Sequence, residues 1–135
     1  MKGIDPRTPV LVGIGIVEQK EKDPAKALEA VQLMIDAVRA AGADCGAPLL
    51  PAEAALISVP QGLWGYADPA RMIARAIGAE GARTVYAKVG ILQQTLIGDA
   101  CARIAGGEIE TAIVVGGEAR FRALQAQIAG TEAAE

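Results

Sequence analysis

A chain of 135 residues is the size of one domain with a single hydrophobic core. Hydrophobic residues make up 52% and charged residues 21%, which excludes a disordered tail. The formal charge is -3, with Lys and Arg scattered along the chain, so it lacks the basic stripe that nucleic-acid binding requires. His is 0, Asn is absent and the one Ser is Ser58, so the chain alone holds no Ser-His-Asp or Cys-His pair and no His-ligated zinc.

The apolar stretches, such as Pro9 to Val17, fall short of the roughly 18 residues a membrane helix needs, so no membrane partner is expected. Cys45 and Cys101 have no CxxC partner, and a reduced, cytoplasmic setting is expected. Aromatics are 3%, so Ala, Val, Ile and Leu must build the core.

Short apolar runs alternate with segments of helical period. The first run is Val10 to Ile14. Asp23-Pro24 then offers an N-cap with Pro at the first helical position, followed by a stripe of Leu28, Val31, Ile35 and Val38 that ends at Gly42. The second run is Ala54 to Val59. Beyond the loop Pro60 to Ala67, Asp68-Pro69 opens a helix with Met72, Ile73, Ala76 and Ile77 on one face and Gly78 to stop it. The third run, Thr84 to Val89, leads through Gly90 to a helix from about Leu92 to Ala105, stopped by Gly106-Gly107. Its apolar face is Leu96, Ile97, Ala100, Cys101 and Ile104, and small residues elsewhere predict that it is covered on most sides. The fourth run, Thr111 to Val115, passes through Gly116-Gly117 to a last helix with Phe121, Leu124 and Ile128 in phase.

Four βα units with unalternated, β-branched strands predict an α/β fold: a mostly parallel sheet with helices on both faces. No composition shift divides the chain, so one domain or one half of a larger one is expected.

Gly13-Ile14-Gly15 falls short of a dinucleotide fingerprint, because Glu18 holds the third glycine position and no helix starts inside the motif. Cys101 lies mid-helix, away from the N-terminus or cation that would activate a thiol, and reads as a structural cysteine; Cys45 reads as an incidental surface thiol. Asp99 and Arg103, spaced i,i+4, form an expected ion pair. The loop Pro60 to Tyr66 carries the single Trp, and is either a contact surface or a rigid turn with Trp64 packed on the domain edge.

In their order, four motifs carry a resemblance: Asp5-Pro6-Arg7-Thr8-Pro9-Val10-Leu11-Val12-Gly13, Asp68-Pro69-Ala70-Arg71, Ala105-Gly106-Gly107-Glu108 and Ile113-Val114-Val115-Gly116-Gly117-Glu118-Ala119. Together they resemble the N-terminal half of the thiolase superfamily, in particular its acetyl-CoA acetyltransferase-like members, over essentially residues 1–135. The resemblance implies a thiolase-like N-terminal domain that is one part of a larger enzyme, with a coenzyme A thioester as substrate and no tightly bound cofactor. It implies a homo-oligomer or a C-terminal thiolase half as partner, the half that would supply His.

Family members carry a nucleophilic Cys between the third strand and the following helix. That position falls on Gly90, or on Ile91 in the neighbouring register, so the resemblance implies a protein without cysteinyl chemistry and inactive alone. Gly90, Ile91, Gly116 and Gly117 are the substrate-binding residues it implies. A non-enzymatic dimerisation or scaffold domain and a nucleotide-binding α/β domain are the alternatives.

Overall fold

The computed structural model describes residues 3–88 and 90–133. Three of the four apolar runs are strands: β1 (Leu56–Pro60), β2 (Arg83–Ala87) and β3 (Ala112–Val114). They form one parallel sheet in the order β2-β1-β3, with Leu56 opposite both Arg83 and Ala112. The helices are α1 (Ala30–Asp44), α2 (Pro69–Ile77), α3 (Gln93–Ala105) and α4 (Arg120–Ala129), and a 3-10 turn covers Leu50–Glu53.

Alternation along β1 sorts the two layers. Ile57 and Val59, both fully buried, join the core made with Met34, Val38, Ala70 and Ile73 of α1 and α2. Leu56 and Ser58 point the other way, and α3 packs on that side against β1 and β3.

Local signals place α2 as the sequence predicts. The Asp68 carboxylate accepts from Arg71 N at 2.9 Å, Pro69 occupies the first turn, and Gly78 closes the helix at φ 81°. The Arg71 guanidinium then donates to the carbonyls of Glu80 and Ala82, pinning the turn that leads into β2.

The first helix starts later than its Asp23-Pro24 signal predicts. Asp23 does cap a turn, accepting from Ala25 N, but the Leu28 N–H donates to Gln19 Oε1 at 2.7 Å and the Leu28 carbonyl accepts from Gln19 Nε2 at 3.1 Å. With both Leu28 groups drawn sideways the turn cannot propagate, and α1 begins at Ala30 with Glu29 as its cap position. Gly42 is inside α1 rather than its stop; it is buried, and a side chain there would meet Pro51 Cγ at 2.9 Å.

The first apolar run is the larger correction. Val10 to Ile14 is not in the sheet, and Val10, Leu11, Val12 and Ile14 are all exposed. A parallel strand is defined by its neighbour, and the free edge of β3 is separated from this run by a groove. Val89, the last residue of the third predicted run, lies outside the described residues, as do the tail residues Ala134 and Glu135.

The outer faces of the last two helices are also less covered than predicted. Leu96 and Ala100 are the buried residues of α3, while Ile97 is exposed and Cys101 half-buried. On α4 the predicted stripe of Phe121, Leu124 and Ile128 faces solvent, and Ala126 is the residue that is buried.

Ser58 has an Oγ with no hydrogen-bond partner although the residue is 1% exposed. Removing a buried hydroxyl that makes no bond relieves its desolvation cost. Ser58→Ala is expected to raise the unfolding free energy by about 0.5–1 kcal/mol, read as a higher urea midpoint at unchanged slope.

Candidate functional site

In an open parallel sheet, ligands bind beyond the carboxyl ends of the strands, where the chain's path across the sheet reverses. Here the path runs outward from β1 to β2 and returns to β3 on the other side, so the reversal lies between β1 and β3. At that edge β1 ends in Pro60, and β3 runs on through Val115 to Gly116 and Gly117.

The loop from β2 to α3 brings Gly90 and Ile91 to the same edge. Gly90 has φ 97°, in the left-handed region, and a Cβ added to it would meet nothing within 4 Å. Ile91 donates its N–H to the Lys88 carbonyl at 3.2 Å, and its side chain is 46% exposed. Leu92 is the N-cap of α3, with extended backbone and no side-chain cap. Thr95 N–H donates to the Leu92 carbonyl at 2.9 Å, which leaves the N–H groups of Gln93 and Gln94 to present the partial positive charge of the helix end without a side-chain cap.

Gln93 links this loop to β3. A Cβ at Gly116 would come within 3.2 Å of Gln93 Nε2 and 3.1 Å of Pro60 Cγ, so only a hydrogen at residue 116 leaves the Gln93 amide where it is. The structure thus brings Gly116 together with the α3 N-terminus, while Gly117 has a different task. A Cβ there would meet Met34 Cγ at 2.9 Å, and its carbonyl accepts from Trp64 Nε1 at 2.9 Å, so Gly117 is packed into the framework.

The aromatic loop resolves in the same way. Trp64 is buried, with its ring centroid 5.2 Å from that of Tyr66 and 5.8 Å from that of Tyr86. Glu118 Oε1 accepts from Leu63 N at 2.8 Å, holding the turn against the end of β3. Of the two readings of Pro60 to Tyr66, the rigid turn is the one observed for Trp64, and Leu63 is its exposed tip.

Lys88 and Gln93 are the donors that the sequence reading missed. The Lys88 ammonium sits 5.8 Å from the centre of the Tyr86 ring, at the carboxyl end of β2. Nothing in their local sequence marks them, because it is the strand order that brings a Gln on α3 over Gly116.

The remaining candidates stay structural. Asp99 and Arg103 pair at 2.9 Å, and Arg103 also reaches Glu108; the two carboxylates, Asp99 first, hold the guanidinium pKa above its ordinary value. Cys45 caps the end of α1, with Sγ 3.2 Å from the Gly42 carbonyl. Among the described residues no cluster of acidic and sulfur ligands could hold a metal ion, and no helix is long and apolar enough to cross a membrane. The hydrogen-bond donors at this edge are the α3 N-terminal amides and the Gln93 side chain, and neither cysteine of the chain lies there.

No known protein family matches the sequence. No curated protein matches it either. Among solved structures, the chain is similar to a monomeric SCP2-thiolase-like protein type 1 from Mycobacterium smegmatis, with 28% identity and a TM-score of 0.64. The match covers 85% of this chain and 24% of that one, so this chain spans about a quarter of the length of the structure it matches. The fold of the chain is thiolase-like α/β.

Proposed function

We propose that this chain is the N-terminal part of a thiolase-like acyl-CoA acyltransferase, acting in a larger protein on coenzyme A thioesters without a cysteinyl nucleophile. The observation that carries this reading is the bend between β2 and α3. It opens at the carboxyl edge in front of uncapped helix amides, the place where the family keeps its nucleophile, and holds Gly90 and Ile91 instead.

The residues present fit a thioester carbonyl better than they fit its attack. Oriented N–H donors lower the energy of a carbonyl on which negative charge develops, and Gln93 Nε2 beside Gly116 adds a side-chain donor. Attack by cysteine would need a thiolate at this bend, and at φ 97° a side chain on Gly90 would carry a backbone strain of about 1–3 kcal/mol. Acid and base groups would come from the remainder of the protein, since this chain has no His.

Acetyl-CoA added to isotopically labelled chain is expected to shift the amide signals of Gly90 to Gln93 and of Gly116, with NAD leaving them unmoved. The chain alone is expected to form no acetoacetyl-CoA. Shifts with NAD and none with acetyl-CoA would replace this reading by the nucleotide-binding one.

A further inference from the structure

We draw no further inference here: the strongest candidate, the pocket of about 340 Å³ that Lys20, Arg120 and Arg122 line together with Glu18 and Glu118 at the N-terminus of α4, rests on a helix end with mixed charges and no second feature that points to a ligand.

Discussion

Trp64→Ala is expected to lower the unfolding free energy by about 3–5 kcal/mol, a large share of the roughly 5–15 kcal/mol that holds a domain of this size. Three losses coincide at that side chain. Its ring is buried against Tyr66 and Tyr86, its indole N–H holds the Gly117 carbonyl, and its removal leaves a cavity between the turn and the end of β3. Trp64→Phe keeps most of the packing and gives up the hydrogen bond, so a loss of about 1–1.5 kcal/mol is expected for it. Urea unfolding of both variants checks the ranking, with the midpoint falling further for Ala at equal slope. Equal midpoints for the two would mean that the ring packing contributes little.

Gly15→Ala is the second large effect, and its cause is steric. An added Cβ would lie 1.9 Å from Ala37 O and 2.6 Å from Ala41 N, both backbone atoms of a helix that cannot yield. Overpacking of this kind costs about 1–3 kcal/mol. The cost has a ceiling, because residues 9–17 supply no member of the buried core and can lift away from α1 while the sheet persists. Limited chymotrypsin digestion at Leu11 is therefore expected to accelerate in the variant while the thermal transition of the core moves less. Gly98→Ala is the matched control: nothing lies within 4 Å of its added Cβ, and Ala in a helix interior is favoured over Gly by about 0.8–1 kcal/mol. One substitution should loosen the segment and the other should stabilise the domain.

What the sequence made legible depended on the range of the forces involved. Asp68-Pro69 and Gly78 bracket α2 as expected because a cap, a fixed φ and a left-handed stop act within a few residues. Asp23-Pro24 has the same chemistry and gave only a turn, because Gln19, nine residues from Leu28, competes for its backbone. Val10 to Ile14 has strand composition, yet a strand needs a partner edge, and β3 does not reach it. Phe121, Leu124 and Ile128 show the same limit on α4: periodicity marks a face that could be buried, and burial needs a neighbour.

Motif order singled out Gly90, Ile91 and Gly116, and the parallel strand order puts all three beyond the carboxyl ends of β2 and β3. Gly117 was assigned with them but faces Met34 and Trp64, because adjacent residues on an extended chain point to opposite sides. Gln93 could be found only once α3 was seen to pack over β3.

The central claim is a thiolase-like domain that handles coenzyme A thioesters without becoming acylated. Intact-mass spectrometry of the chain after incubation with excess acetyl-CoA tests it most directly. The account predicts an unchanged mass, since the bend at Gly90 carries no thiol and Cys45 and Cys101 lie elsewhere, at the end of α1 and in the middle of α3. A stoichiometric gain of one acetyl group that free coenzyme A removes again would contradict it.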